Sequence, residues 1–186
     1  MQLNTANTLT WIRIAAIPLF VVLYYWPSEW GRPLSAVVFM LAAITDWLDG
    51  YVARKLGQIT PFGEFLDPVA DKLIVAVALI LLVQTDQRLS LALVAAIIVG
   101  REITVSALRE WMAGLGQRTT VAVSMVGKVK TTFQMAGLTL MVWREDILDL
   151  PVYEAGFWLL LLAAGLTLWS MYAYLKAAWP VLNAES

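Results

Sequence analysis

The stretch Asp46–Asp71, DWLDGYVARKLGQITPFGEFLDPVAD, places four aspartates between two long apolar runs. An isolated charge in an apolar environment costs several kcal/mol unless it is paired, bound to a metal or protonated. The apolar runs on either side therefore decide the fold, and the aspartates between them indicate a site that stabilises carboxylates.

The whole chain is unusually apolar. Hydrophobic residues make up 60% of its 186 residues and charged residues 15%, whereas soluble domains are about 45–50% apolar and about 25% charged. The mean hydropathy is +0.72. Six continuous apolar stretches approach the roughly 20 residues that a spanning helix needs, and they cover residues 9–26, 34–53, 68–85, 89–111, 126–143 and 153–175. We therefore predict an all-α polytopic membrane protein with six transmembrane helices, built as a single domain over residues 1–186.

The distribution of basic residues predicts how these helices are oriented. With six spans and a cytoplasmic N-terminus, only Arg32, Arg88 and Arg144 of the 13 Lys and Arg residues lie on the outer side. Cytoplasmic connections of membrane proteins are enriched in Lys and Arg. The pattern therefore predicts that the four aspartates lie at the cytoplasmic face.

The absence of cysteine and histidine restricts the possible chemistry. Disulfides, thiolate catalysis, histidine bases and soft zinc ligands are excluded. Acid–base or metal chemistry must use carboxylates, with Lys or Tyr as weaker candidates. A net charge of -1 gives no support for nucleic-acid binding.

The first two aspartates share a helical face with small residues and an arginine. Spacings of i, i+3, i+4, i+7 and i+8 place on one face the residues Asp46, Asp49, Gly50, Ala53 and Arg54. Gly50 and Ala53 allow another group to approach the backbone. A guanidinium suits a phosphate through its planar fork of donors, so this face fits a phosphorylated substrate.

The other two aspartates are predicted at the start of the third helix. Asp67 followed by Pro68 favours a helix start, with Asp67 as the N-cap. Asp71 lies four residues on and on the same face, where two carboxylates repel each other unless a cation lies between them. A capping role alone is the alternative interpretation of Asp67.

Four carboxylates carry a total charge of −4, which two divalent cations neutralise. Their hard oxygen atoms suit Mg²⁺, Mn²⁺ or Ca²⁺. We therefore predict a two-metal site. The alternative is a cytoplasmic connection whose acids are only solvated.

The pattern D-x2-D-G-x2-A-R-x8-G-x3-D-x3-D over residues 46–71 resembles the signature of the CDP-alcohol phosphotransferases, integral membrane enzymes of phospholipid synthesis. The resemblance implies that two divalent cations, Mg²⁺ or Mn²⁺, are bound by Asp46, Asp49, Asp67 and Asp71. It also implies that Asp71 is the general base.

The same resemblance implies a site for the CDP-linked donor. The segment ANTLTWIR (residues 6–13) resembles a family segment Pro-Asn-x-Leu-Thr-x2-Arg that borders the nucleotide, with Ala6 in place of the proline. The residues implied to bind CDP-diacylglycerol are Asn7, Thr8, Thr10, Gly50, Ala53, Arg54 and Thr60.

The second half of the chain indicates the acceptor. The segments GREITVSALREWMAGLG (residues 100–116) and VGKVKTT (residues 126–132) resemble bacterial family members that use sn-glycerol 3-phosphate. An acceptor with its own phosphate needs a basic pocket, which we expect from Arg101, Arg109, Lys128 and Lys130. The alternative role for any one of them is anchoring a helix end at the membrane surface. Phosphatidylglycerol and inositol phosphate are the alternative acceptors.

The expected product is phosphatidylglycerophosphate, with release of CMP. We further expect a homodimer in the bacterial cytoplasmic membrane, with the active site facing the cytoplasm and acting on membrane lipid. A divalent-cation transporter is the non-enzyme alternative, because acids within membranes often mark ion pathways. That alternative leaves Arg54 and the four basic residues without a role.

Overall fold

Six α-helices make up the part of the chain that the computed structural model describes, which is residues 5–56, 61–114 and 125–184. Side chains are described for residues 10–45, 66–114, 127, 129–176 and 179. The helices are α1 (Thr5–Tyr24), α2 (Gly31–Leu56), α3 (Pro61–Thr85), α4 (Leu89–Gly114), α5 (Met125–Trp143) and α6 (Val152–Ala184). These ranges contain no β-strand, so the all-α prediction is confirmed.

The third helix begins earlier than predicted. It starts at Pro61, and Pro68 lies inside it, so the predicted start at Asp67 and its N-cap role are wrong. Proline is equally favourable at the first helical position when that position is residue 61. Inside the helix Pro68 removes one backbone hydrogen bond, and its ring lies at the exposed surface. Asp67 is therefore a side chain on the face of α3.

The helices alternate in direction. At one end of α1 and α3, Arg13 contacts Asp71. At their other end, the Tyr24 hydroxyl donates to the Leu81 carbonyl at 3.0 Å, so α1 and α3 run parallel, while α2 packs against both. We call the end that carries Asp67 and Asp71 the aspartate end. The opposite end, which carries Arg32, Arg88 and Arg144, is the arginine end.

The core is apolar and closely packed. Its largest fully buried side chains come from all six helices and include Phe20, Phe39, Ile74, Leu82, Ile98, Leu138 and Leu160. Between α5 and α6 the backbones themselves touch. A Cβ atom at Gly137 would lie 2.8 Å from the carbonyl oxygen of Gly156, and one at Gly156 would lie 2.8 Å from that of Gly137. Larger residues at either position would push α5 away from α6.

Two helical segments are long and apolar enough to cross a membrane. They are Leu89–Gly114, with mean hydropathy 1.9, and Val152–Lys176, with mean hydropathy 1.5. Only 28% of the most apolar stretch of each is buried within the protein. Thr10–Tyr24 and Gly31–Thr45 are shorter apolar segments. Together with the many large apolar side chains on the surface, these helices indicate a membrane protein, and the prediction of six spans stays a prediction.

Candidate active site

The two aspartates of α3 are both contacted by side chains of α1. Thr10 donates a hydrogen bond from Oγ1 to Oδ1 of Asp67. One turn further along α1, Arg13 donates from Nη1 to Oδ1 of Asp71 at 2.6 Å. The Arg13 side chain is 1% exposed and that of Asp71 is 33% exposed. The contact therefore holds a buried guanidinium against a carboxylate that solvent or a substrate can still reach.

The backbone of α2 brings the other two aspartates to the same end. Asp46 lies ten residues before the end of α2, and Asp71 lies ten residues after the start of α3. At 1.5 Å per residue each is about 15 Å from its helix terminus. Four residues connect the two termini, so an antiparallel arrangement places Asp46 level with Asp71. Asp49 is similarly close in level to Asp67.

Part of the predicted site lies outside the described side chains. Eight predicted site residues lie on α1, α2 or α5 at the aspartate end, but their side chains are outside the described part of the structure. They are Asn7, Thr8, Asp46, Asp49, Gly50, Ala53, Arg54 and Lys128. Thr60 lies outside the described residues altogether. Their assigned roles stay predictions.

Three of the four predicted acceptor residues lie close together at the aspartate end. Lys130 Nζ donates to Oε1 of Glu102 at 2.6 Å, and Arg101 Nη1 donates to the same oxygen at 3.2 Å. Arg109 donates through Nη2 to the hydroxyl of Tyr174. The guanidinium carbons of Arg101 and Arg109 lie 5.5 and 5.1 Å from the centroid of the Tyr174 ring. The basic group is thus held together by one acid and one aromatic ring.

A cavity of about 450 Å³ opens between α3, α4 and α5 beside Asp71. Near the aspartate end its wall is charged, and it carries Asp71, Lys72, Glu102 and Lys130. Deeper in the bundle the wall becomes apolar and includes Val75, Ala76, Ile98, Val99 and Met135. A polar acceptor would meet charged groups at the mouth, and an apolar chain would fit the floor.

Sequence reasoning missed several polar residues at this cavity. Glu102 contacts two of the predicted basic residues, and Lys72 donates to the hydroxyl of Ser106. Gln134 is 5% exposed, and its carbonyl oxygen has no hydrogen-bond partner among the described residues. Charged and amide side chains in an apolar run indicate that each needs a partner. That rule would have marked Lys72, Glu102 and Gln134 as residues that need a partner, but it does not identify the partner.

The described aspartates fit a hard divalent cation by their chemistry. Asp67 and Asp71 present oxygen atoms from one face of α3 and are half-buried rather than enclosed. The chain has no cysteine or histidine that would favour a softer metal. Asp46 and Asp49 would complete a set of four carboxylates if their side chains turn toward α3.

Comparison with known proteins identifies relatives across almost the whole chain. Residues 3–169 match the family model described as CDP-alcohol phosphatidyltransferase. The chain is 52% identical over 178 residues to a protein of Salmonella paratyphi A, with 96% of each chain covered. It is 50% identical over 179 residues to a protein of Yersinia enterocolitica, covering 96% of this chain and 97% of the relative. Both relatives are named CDP-diacylglycerol–glycerol-3-phosphate 3-phosphatidyltransferase.

Proposed function

Because the chain belongs to the CDP-alcohol phosphatidyltransferase family, we propose that it transfers the phosphatidyl group of CDP-diacylglycerol to sn-glycerol 3-phosphate. The products are phosphatidylglycerophosphate and CMP. The observation that carries this function is the 52% identity over 96% of both chains with a relative named for this activity. The family and the relatives make the protein a transferase of phospholipid synthesis.

The membrane arrangement is a finer part of the proposal. All six helices would cross the bacterial cytoplasmic membrane, with the aspartate end at the cytoplasmic face. The charge distribution supports this orientation, because the predicted topology leaves only Arg32, Arg88 and Arg144 of the 13 basic residues at the other end. The resemblance to the family also supports a homodimer.

Two divalent cations, Mg²⁺ or Mn²⁺, are proposed at Asp46, Asp49, Asp67 and Asp71. When bound, they would neutralise the diphosphate of the donor and stabilise the charge that develops on it. The hard oxygen donors of α3 support this assignment, since they are half-buried and within one helical turn of each other.

The residues around Asp71 have separate roles in the proposed reaction. Asp71 accepts the proton of the 1-hydroxyl of glycerol 3-phosphate. The hydroxyl oxygen then forms a bond to the β-phosphorus, the bond from that phosphorus to the bridging oxygen breaks, and CMP leaves with the electron pair. Arg13 holds one oxygen of Asp71 at 2.6 Å and thereby orients the base. Arg54 would bind the diphosphate from α2.

The acceptor phosphate is proposed to bind at the basic group that Arg101, Arg109, Lys128 and Lys130 form. Lys130 and Asp71 both line the cavity between α3, α4 and α5. One acceptor molecule can therefore place its phosphate at the basic group and its hydroxyl at the base. This placement of two ends of one substrate supports glycerol 3-phosphate over an uncharged alcohol.

The test is an acceptor panel with the purified protein in detergent. CDP-diacylglycerol and Mg²⁺ are supplied with glycerol 3-phosphate, phosphatidylglycerol, inositol phosphate or no acceptor, and CMP release is measured. We expect the highest kcat/KM with glycerol 3-phosphate. A higher value with phosphatidylglycerol or inositol phosphate would make the protein a family member with another acceptor. No CMP release with any acceptor, together with cation flux in liposomes, would favour the transporter alternative.

A further inference from the structure

The arginine end contains a second cavity, remote from the aspartates. Its volume is about 480 Å³, and it lies where the connections after α3 and α5 meet the starts of α2 and α6. Its lining includes Arg32, Arg88 and Arg144. Those are the only basic residues of the chain that the predicted topology places on the outer side. Cations are disfavoured on that side of a membrane, so the convergence of all three on one cavity needs a reason.

Arg88 is neutralised by its own surroundings. Its Nε donates to Asp86 at 2.8 Å, and its Nη1 donates to Glu154 at 2.9 Å. The hydroxyl of Tyr153 donates to the same carboxylate of Asp86 at 2.6 Å. This network forms one wall of the cavity, and its one arginine and two carboxylates carry a net charge of −1.

Arg32 and Arg144 bring the net charge of the cavity lining to +1, with three arginines against Asp86 and Glu154. Neither forms an ion pair with any carboxylate in the described part of the chain. The guanidinium of Arg32 lies 3.6 Å from the centroid of the Tyr24 ring, and Tyr24 is only 3% exposed. The ring holds the cation in place without neutralising it. Arg144 follows the end of α5 in a left-handed conformation, with φ of 69°, and its side chain is exposed.

Exposed apolar side chains lie on the two connections next to Arg32 and Arg144. Trp26 and Trp30 are 57% and 70% exposed on the connection between α1 and α2. Leu148 and Leu150 are exposed on the connection between α5 and α6. Exposed aromatic residues at helix ends mark the level of lipid headgroups. A ligand at this site would thus have a charged group in the cavity and apolar chains along the protein surface.

We propose that this cavity binds the phosphate of an anionic phospholipid in the leaflet opposite the candidate active site. Arg32 and Arg144 would hold the phosphate through charge-assisted hydrogen bonds, and the exposed Trp and Leu side chains would contact the acyl chains. The site is independent of the transfer reaction, because none of its residues belongs to the aspartate end.

The test uses matched variants in an uncharged detergent. Arg144→Gln and Lys176→Gln each remove one exposed cation, the first from the cavity and the second from α6 outside it. Phosphatidylserine, phosphatidylcholine and inorganic phosphate are titrated separately, and the melting temperature is recorded. Phosphatidylserine should raise the melting temperature of the wild type and of Lys176→Gln, and the half-saturating lipid concentration should be the same for both. For Arg144→Gln this concentration should be higher by roughly 10-fold or more, because one charge-assisted hydrogen bond is lost. Arg32→Gln/Arg144→Gln should show no saturable rise.

Several outcomes would overturn the proposal. Equal stabilisation by phosphatidylcholine would show that headgroup charge is not recognised. Saturation by inorganic phosphate at the same phosphate concentration would make the cavity a site for a free anion rather than a lipid. An unchanged titration of Arg144→Gln would show that the cavity at the arginine end does not bind the lipid.

Discussion

Both ends of the bundle pair an aspartate with an arginine, but the two pairs differ in what the carboxylate can still bind. At the arginine end, Asp86 lies in a connection and accepts hydrogen bonds from Arg88 Nε at 2.8 Å and from the Tyr153 hydroxyl at 2.6 Å. It also accepts one from the Arg88 backbone. At the aspartate end, Asp71 lies on a helix face beside a cavity. Position in the fold, and not residue type, separates the structural aspartate, Asp86, from the proposed catalytic one, Asp71.

The same comparison applies to the arginine of each pair. Arg13 is enclosed within the bundle and its partner Asp71 faces the cavity, whereas Arg88 is partly exposed and its partner Asp86 is more enclosed. A ligand can therefore reach the carboxylate of the pair at the aspartate end, whereas at the arginine end the carboxylate is the more enclosed partner. This difference suits the proposed binding of cations at Asp71 and leaves Asp86 as a structural partner of Arg88.

The largest expected effect is metal removal. Since the chain has no histidine or cysteine, chelation with EDTA should abolish CMP release, and Mg²⁺ or Mn²⁺ should restore it. The anionic-lipid titration at the arginine end should be unaffected by EDTA, which provides the control. Activity that survives thorough chelation would disprove the two-metal site.

Substitution of the proposed base should have the next largest effect. Asp71→Asn should lower turnover by about 10²-fold or more, because it removes the proton acceptor and one ligand charge. The matched change Asp86→Asn should leave turnover near wild type and lower the melting temperature instead. If Asp71→Asn keeps turnover near wild type, Asp71 is not the general base.

Asp71→Asn also leaves the buried Arg13 without its ionised partner, which is itself destabilising. A second variant separates this effect from catalysis. Arg13→Met/Asp71→Asn removes both charges and should recover part of the lost melting temperature without recovering turnover. Recovery of both would mean that Asp71 acts only as the partner of Arg13.

The acceptor pocket should give a smaller and more selective effect. If Arg109 and Lys128 hold the acceptor phosphate, Arg109→Ala and Lys128→Ala should each remove a charge-assisted hydrogen bond worth about 1.5–3 kcal/mol. That loss corresponds to roughly 10- to 150-fold in kcat/KM for glycerol 3-phosphate. The KM for CDP-diacylglycerol should change little, and Arg54→Ala should show the opposite pattern. If Arg109→Ala and Lys128→Ala impair both substrates equally, or neither, these residues are membrane-edge anchors.

The helices were largely predictable because the length of a continuous apolar run is a local property of the sequence. The shared face of Asp46, Asp49 and Arg54 needs only helical spacing, and α2 does run through these residues to Leu56. The start of α3 was mispredicted because proline and aspartate at residues 67–68 give the same local signal as a helix start. Pro61, where α3 begins, gives a similar local signal, so the sequence alone does not distinguish the two starts.

The contacts within each site could not be predicted, since they join residues far apart in sequence. Arg13 and Asp71 are separated by 58 positions, and Arg88 and Glu154 by 66. An acid such as Glu102 in an apolar run predicts that a cation lies nearby. Which cation it is depends on how α4 and α5 pack, and helical periodicity carries no information on that.

The smallest expected effect concerns the pH dependence of stability at the arginine end. Burial raises the pKa of Asp86, but the hydrogen bonds from Arg88 and Tyr153 outweigh it, so the pKa lies below its ordinary value of 3.8. A carboxyl whose folded pKa is depressed stabilises the fold fully above its unfolded pKa and loses that contribution as the pH falls through the folded pKa. The stabilisation should therefore be constant near neutral pH and disappear in acid.

Asp86→Asn measures this contribution directly. A net hydrogen-bond contribution of about 1 kcal/mol corresponds to about 2–4 °C in melting temperature for a chain of this size. The wild type should melt higher than Asp86→Asn by that amount at pH 7, and the difference should shrink below about pH 4. Asp146→Asn is the matched control, because Asp146 is exposed on the connection between α5 and α6 and should show no such pH-dependent difference. A difference that stays constant into acid would mean that the Asp86 carboxylate charge does not stabilise the arginine end, and that the network around Arg88 depends on its shape alone.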